Sequence, residues 1–142
     1  VAWQPVTSQT DWTLPNEDGP KKVFVQFKDR AGNLGKVVSD DIITDIESPQ
    51  NCQVTIDRGA EKTADINKIV SLQFSADDAT FMLVSNFPDF KGARWQVYSE
   101  SISTWRLYGE EDGKKTIYVK FKDEAGNIST IFTDEIELVR GF

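Results

Sequence analysis

Hydrophobic and polar residues alternate with a period of two along much of the chain, a pattern typical of β-strands with one buried face. Ile117, Val119 and Phe121 point to one face of residues 115–122, and the residues between them point to the other. Residues 23–28 alternate in the same way, with Val23, Val25 and Phe27 on the apolar face. No segment carries a convincing apolar period of 3.6 residues. The pattern therefore predicts an all-β fold.

Turn residues divide the C-terminal two thirds of the chain into seven such segments. We expect strands at residues 52–56, 68–75, 80–86, 94–98, 102–107, 115–122 and 130–138. Seven short strands separated by turns about 8–12 residues apart are typical of an antiparallel β-sandwich, in which two sheets pack face to face.

The last part of this arrangement occurs twice in the sequence. Residues 19–33 align with residues 113–127 at an offset of 94 residues, as between Gly32 and Gly126. Trp3 and Trp12 match Trp95 and Trp105 after slips of one or two residues. Residues 1–48 therefore correspond to the C-terminal half of a repeat, incomplete as given, and residues 49–142 correspond to a complete copy.

The motif Asp-x-Ala-Gly-Asn occurs in both copies where two strands must reverse direction. Its glycine suits the positive φ of a type I turn closed by a glycine bulge, and its Asp and Asn side chains can bond nearby backbone amides. A phosphate-binding loop is disfavoured because the glycine is single and no helix follows. We therefore interpret six residues as structural hairpin residues: Asp29, Gly32, Asn33, Asp123, Gly126 and Asn127.

These motifs resemble a known type of repeat. The order Trp-x-Leu, Asp-Gly-x-Lys, Val-x-Val-x-Phe-Lys-Asp-x-Ala-Gly-Asn and Asp-x-Ile is similar to that of the immunoglobulin-like or fibronectin type III-like repeats of large bacterial and archaeal extracellular proteins. The resemblance implies tandem β-sandwiches that act as spacers, stalks or adhesive modules at the cell surface, with no catalytic residues. It implies neighbouring repeats of the same or another chain as partners, and a short joint at residues 45–51.

Composition and charge narrow the expected function. The chain has 23 acidic and 16 basic residues, a net charge of -7, and without a basic stripe we expect no nucleic-acid partner. With no histidine and one cysteine, it cannot supply a Ser-His-Asp or Cys-His relay, a zinc site of His and Cys, or an intrachain disulfide. No apolar stretch approaches the ~20 residues of a membrane-spanning helix, so we expect no membrane insertion.

Aromatic residues are the candidates for ligand binding. Trp3, Trp12, Trp95 and Trp105 could stack on sugar rings, but their recurrence at equivalent positions favours packing in the core. We expect the tyrosines to be more exposed, which makes them the better candidates for contacting a glycan or a cell-surface receptor: Tyr98, Tyr108 and Tyr118.

Carboxylates and the single thiol suggest little further chemistry. Asp77 and Asp78, like the acidic residues 110–112, offer oxygen ligands for calcium but lack the spacing of a calcium loop. Solvated turns are the favoured reading, with no cofactor. A glycosidase pair would need a cleft between its two acids, so we expect no enzyme. Cys52 is most simply a small buried residue, and an interchain disulfide has no support.

The sequence therefore predicts a non-enzymatic, extracellular structural or adhesive module of a larger protein. Two alternatives stay open: a carbohydrate- or receptor-binding module, and a tail or decoration component of a phage virion built from the same repeats. The incomplete copy also leaves two possibilities. Missing N-terminal sequence completes it, or strands of another chain pair with its exposed edge.

Overall fold

The computed structural model describes residues 2–141. Its described residues contain ten β-strands and one 3-10 turn at Asp57–Gly59, and no helix among them is long and apolar enough to span a membrane. The chain divides into two compact units, Val1–Ile46 and Glu47–Phe142. This division lies two residues before the boundary predicted from the sequence.

The N-terminal unit contains one antiparallel hairpin. Strands β1 (Gly19–Val25) and β2 (Val38–Thr44) pair along their whole length, with Gly19 opposite Thr44 and Val25 opposite Val38. A single bridge between Lys28 and Leu34 continues the pairing toward the turn. Of the described residues before Gly19, none lies in a strand.

The C-terminal unit is a β-sandwich, which confirms the predicted all-β fold. A three-stranded sheet in the order β3-β5-β8 packs on a five-stranded sheet in the order β4-β10-β9-β6-β7. All strand pairs are antiparallel except β4 with β10. The strands are β3 (Gln50–Ile56), β4 (Lys62–Thr63), β5 (Ile69–Asp77), β6 (Phe81–Ser85), β7 (Gln96–Val97), β8 (Ser101–Arg106), β9 (Gly113–Lys122) and β10 (Phe132–Leu138).

The alternation predicted from the sequence identifies the residues of β9 that lie in the core of this sandwich. The inward residues of β9, Ile117, Val119 and Phe121, are fully buried, whereas the residues between them are half-buried on the outer face. Phe121 lies at the centre of an aromatic cluster. Its ring centre is 6.5 Å from that of Phe74, 6.0 Å from that of Tyr98 and 6.4 Å from that of Phe132. The apolar faces of the two sheets thus meet around one aromatic residue.

Three strands depart from the predicted pattern for local reasons. The strand expected at 94–98 is reduced to β7, because turns at residues 87–93 fold the preceding loop. In β8 a bulge inserts one residue, so that Ile102 and Trp105 lie opposite Leu72 and Val70 and both face the core despite a spacing of three. Strand β4 was not predicted, because two residues are too few to show an alternation.

Strand β4 runs in the same direction as β10, the last strand of the C-terminal unit. The Ile56 amide donates to the Asp134 carboxylate near the start of β10, and β4 then runs parallel to the end of β10. The Glu137 amide donates to the Glu61 carbonyl at 3.0 Å, and the Val139 amide donates to the Thr63 carbonyl at 2.8 Å. The chain therefore enters this unit at one end and leaves at the opposite end.

Candidate functional site

The turns at residues 29–33 and 123–127 have the same internal geometry. The glycine amide donates to the Asp carbonyl at 3.1 Å and 3.2 Å, respectively, and the Asn backbone amide donates to the Asp carboxylate at 2.8 Å in both. The Asn side-chain amide binds the second carboxylate oxygen at 2.8 Å and 2.9 Å. Gly32 has a φ of 93° and Gly126 a φ of 96°. Each carboxylate is thus held inside its own turn, which is a structural role.

The hydrogen bonds within the first turn also change the acidity of its carboxylate. The side chain and then the backbone amide of Asn33 hold the pKa of Asp29 below its ordinary value, because both donate to the ionised form. Asp29 lies on the exposed N-terminal hairpin, whereas its counterpart Asp123 is almost fully buried. The same turn therefore forms in two different environments.

The three candidate tyrosines lie in three different environments. Tyr98 packs against the core with its hydroxyl 3.5 Å from the Phe74 carbonyl, and burial raises the pKa of its phenol. Tyr118 is half-buried on the outward face of β9. Tyr108 is 64% exposed and stands edge-to-face on Phe87, with ring centres 4.7 Å apart. Of the three, Tyr108 combines an open ring with an aromatic neighbour.

The prediction that the tryptophans pack in the core is right for Trp105 and wrong for Trp3, Trp12 and the half-buried Trp95, which lies under Lys122 on the outward face. Trp3 and Trp12 are 53% and 58% exposed. Trp105, the equivalent of Trp12, packs against the core and donates its indole N–H to the Asn86 side chain at 3.0 Å. It faces Val70 of β5. The described N-terminal residues contain no such strand, so Trp12 has no sheet to pack on.

Lysines cover aromatic rings on the outward face of the five-stranded sheet. The Lys122 ammonium lies 4.4 Å from the ring centre of Trp95 and 5.3 Å from that of Phe81. Lys28 lies 4.4 Å from Trp3, a contact between the equivalent residues of the N-terminal unit. These pairs are cation–π contacts. They were missed in the sequence, although a lysine and a tryptophan at matching positions of both copies were the available signal.

Two acidic residues of the loop between β8 and β9 form ion pairs with basic side chains of the same unit. Glu110 accepts a hydrogen bond from Lys68 at 3.0 Å, and Lys68 also donates to the Gly109 carbonyl at 2.8 Å. Arg140 donates to Asp112 from its side chain at 2.7 Å and from its backbone amide at 2.6 Å. These bonds lower the pKa of both Glu110 and Asp112. Both carboxylates therefore serve to tie the 107–113 loop to neighbouring segments.

The second acidic pair and the cysteine have local roles. Asp77 is the exposed last residue of β5 and Asp78 lies in the turn that follows, and Asp77 accepts a hydrogen bond from the Asn51 side chain at 2.7 Å. Cys52, expected to be buried, is half-buried, and its thiol donates to the Pro49 carbonyl at 3.4 Å. Burial raises the pKa of this thiol. The thiol form is therefore favoured over the reactive thiolate.

Three apolar side chains of the N-terminal hairpin are exposed, although the aligned residues of the C-terminal unit are buried in its core. Val25, Phe27 and Ile42 are 42%, 52% and 56% exposed, whereas their equivalents 94 residues later are 0%, 0% and 2% exposed. We call the surface formed by Val25, Phe27 and Ile42 the open face. The expectation that Val25 and Phe27 face a core is therefore wrong for the described N-terminal unit, because no second sheet opposes the hairpin.

Comparison with known proteins adds no relative to these observations. No protein-family model matches the chain, and no curated protein is significantly similar to it. The alignment of residues 19–33 with residues 113–127 therefore provides the comparison for the N-terminal hairpin.

Proposed function

We propose that the chain is a non-enzymatic structural or adhesive module, a spacer repeat of a larger extracellular or cell-surface protein. The observation that best supports this role is the path of the chain through the C-terminal unit. Because β4 and β10 are parallel, the chain enters near Gln50 and leaves after Leu138 at the opposite end. Units with this course can follow one another in a polypeptide without the chain doubling back.

The strand order supports an immunoglobulin-like or fibronectin type III-like assignment. In sandwiches of this type the first two strands share a sheet with a later one, and the third strand shares the other sheet with the last two. Here β3 and β5 share a sheet with β8, while β6 lies in one sheet with β9 and β10.

Two kinds of contact occur within both units, and their recurrence supports a tandem arrangement. The turn hydrogen bonds at residues 29–33 return at residues 123–127, and the contact of Lys28 with Trp3 returns between Lys122 and Trp95. Each recurrence joins residues at matching repeat positions. One complete copy preceded by the C-terminal half of another is the sequence arrangement expected within an array of such repeats.

The surface chemistry suits a spacer. The net charge of -7 favours solubility and opposes close association between neighbouring acidic modules. The carboxylates of Asp29, Glu110 and Asp112 are engaged in turns and ion pairs. The function of the module would then be to hold neighbouring domains at a distance and to present them, at the cell surface or, as the alternative, on a virion.

Tandem arrays provide the test. Arrays of two, three and four copies of residues 47–142 should show a maximum dimension in small-angle X-ray scattering that grows by a constant step. The ten-residue strand β9 spans about 33 Å, so we expect a step of at least about 30 Å. Arrays that collapse to a compact particle, without a constant step, would contradict the spacer role.

A binding module is the second candidate, favoured by the exposed Tyr108 and its neighbour Phe87. Aromatic rings of this kind can stack on the apolar face of a sugar. A glycan present at 100 times its dissociation constant should stabilise the protein by about 2.7 kcal/mol. Tyr108→Phe should keep that effect and Tyr108→Ala should remove it. A glycan screen without any shift in melting temperature would leave the spacer role as the better account.

A further inference from the structure

The residues of the C-terminal unit that align with the open face are buried, and the structure shows which strands bury them. The equivalents of Val25, Phe27 and Ile42 in the C-terminal unit are Val119, Phe121 and Ile136, all of them buried. In the same core cluster, side chains of β3 and β5 pack over them from the opposite sheet and side chains of β6 lie beside them in their own sheet: Val54, Ile56, Val70, Leu72, Phe74, Met82 and Val84. All of these covering residues precede Trp95, the equivalent of Trp3. The internal comparison thus shows which strands are needed to bury the open face.

We propose that the open face is the binding surface for a complementing half-unit with the strand pattern of residues 49–94, delivered from the N-terminal side of Trp3. Together with residues 2–46 this half-unit would form a second complete sandwich. The inference rests on the proposed function in one respect, the equivalence of the two units as copies of one repeat. It adds the identity of the partner and its register.

The free edge of β1 gives the register of this pairing. In the C-terminal unit β6 pairs with β9, with Met82 opposite Phe121 and Val84 opposite Val119. The equivalent positions are Phe27 and Val25. β1 pairs with β2 along one edge, and the described residues provide no strand for its other edge. A strand like β6 therefore fits beside β1, opposite Val25 and Phe27, and leaves no exposed edge there.

The segment before β1 supports the same partner. Residues 95–107 contain β7 and β8, which pair with β6 and β5. The equivalent residues 3–14 contain no strand, although Trp12 matches Trp105. Both missing partner strands, those like β5 and β6, belong to the proposed half-unit. One partner thus accounts for the open face, the free edge and the irregular segment.

Delivery from the N-terminal side follows from the connection in the complete unit. β6 ends at Ser85 and β7 begins at Gln96, so ten residues connect the two strands, as counted along the sequence. A short connection keeps the cost of closing the loop small. A half-unit that leads directly into Trp3 preserves this connection. A second copy of the chain does not, because its own β3, β5 and β6 are already engaged in its C-terminal unit.

A chimera tests the proposal. A copy of residues 49–94 is fused ahead of Trp3 in the full chain, so that Arg94 of the copy precedes Trp3 as Arg94 precedes Trp95. Amide exchange at Val25, Phe27 and Ile42 is measured in the chimera and in the chain of 142 residues. We expect exchange in the chimera to slow by roughly 100-fold or more, with a second cooperative thermal transition. Leu72→Asp in the added copy alone is the matched control and should abolish both effects.

The opposite results would overturn the proposal. One is unchanged exchange in a chimera whose C-terminal unit is folded. Another is a chain of 142 residues that is already dimeric with protected amides at the open face, since a second copy would then be the occupant. Failure of the chimera while arrays of residues 47–142 extend normally would contradict the half-unit and leave the spacer role standing. A chimera that forms the second sandwich, together with arrays that do not extend, would support the half-unit and contradict the spacer role.

Discussion

At Gly126 the backbone has a φ of 96°, although a Cβ atom built there would meet no atom within 4 Å. The cost of Gly126→Ala is therefore conformational, about 1–2 kcal/mol. We expect urea unfolding to show a loss of this size in the stability of the C-terminal unit. Gly32→Ala is the control, because Gly32 has nearly the same φ but lies in the other unit. An equal loss of C-terminal stability from both variants would contradict this assignment.

The ion pairs at Glu110 and Asp112 predict a dependence on pH. Hydrogen bonds from Lys68 and Arg140 lower their pKa values below the ordinary 4.5 and 3.8. A carboxyl with a lowered pKa stabilises the fold above its ordinary pKa, and the contribution is lost as the pH falls through the lowered value. Stability should therefore fall as the pH drops below about 4, as followed by thermal melts.

Two variants separate this effect from general acid unfolding. Asp112→Asn should flatten the acidic limb of the stability profile, because the bonded carboxylate with the lowered pKa is gone. Glu111→Gln, at the exposed neighbouring position, should leave the limb unchanged. The prediction fails if the two variants have the same profile.

The residues that the sequence identified correctly are those whose partners are close by in the chain. The Asp, Gly and Asn of each turn bond within five residues, and the motif carries that information. The contacts of Arg140 with Asp112 and of Lys122 with Trp95 join residues 28 and 27 positions apart. Such pairs depend on the packing of loops and on strand register, which alternation alone does not define.

Among the elements, β1 and β9 have similar sequences and different surroundings. Phe121 on β9 contacts three aromatic rings in the core, whereas Phe27, just beyond β1, lies on the open face. Phe121→Ala should cost about 3–5 kcal/mol, because it leaves a large cavity. Phe27→Ala at the matching position should leave the main unfolding transition unchanged. Chemical denaturation of both variants checks this, and similar losses would show that Phe27 is packed in solution.

At this scale the alternation predicted seven strands to within two residues of their observed ends and missed β4. Strands β5, β9 and β10 lie within two residues of their predicted bounds, because their apolar residues face one continuous core. β4 pairs over only two residues, whereas the bulge in β8 changes its alternation but moves its bounds by only one residue. Exposure of the β1 face was not predictable from its own sequence, since burial depends on strands that the described N-terminal unit does not contain.

For the whole C-terminal unit, the parallel arrangement of β4 and β10 determines how it should respond to force. Tension applied at the two ends of residues 47–142 pulls β4 and β10 in opposite directions along their own axes. The hydrogen bonds from Glu137 to Glu61 and from Val139 to Thr63 are then loaded in shear, and both must break together. Tension from residue 47 also passes through β3, which pairs with β5, so we expect both contacts to resist extension in single-molecule pulling.

Val139 offers a matched pair of variants for that experiment. Its side chain is exposed, so its contribution to this contact is its backbone amide. Val139→Pro removes the donor and should lower the unfolding force, whereas Val139→Ala keeps the donor and should not. If both variants unfold at the force of the parent, the pairing of β4 with β10 does not resist extension. Mechanical resistance would then have to come from the core around Phe121, and Phe121→Ala would become the variant with the lower force.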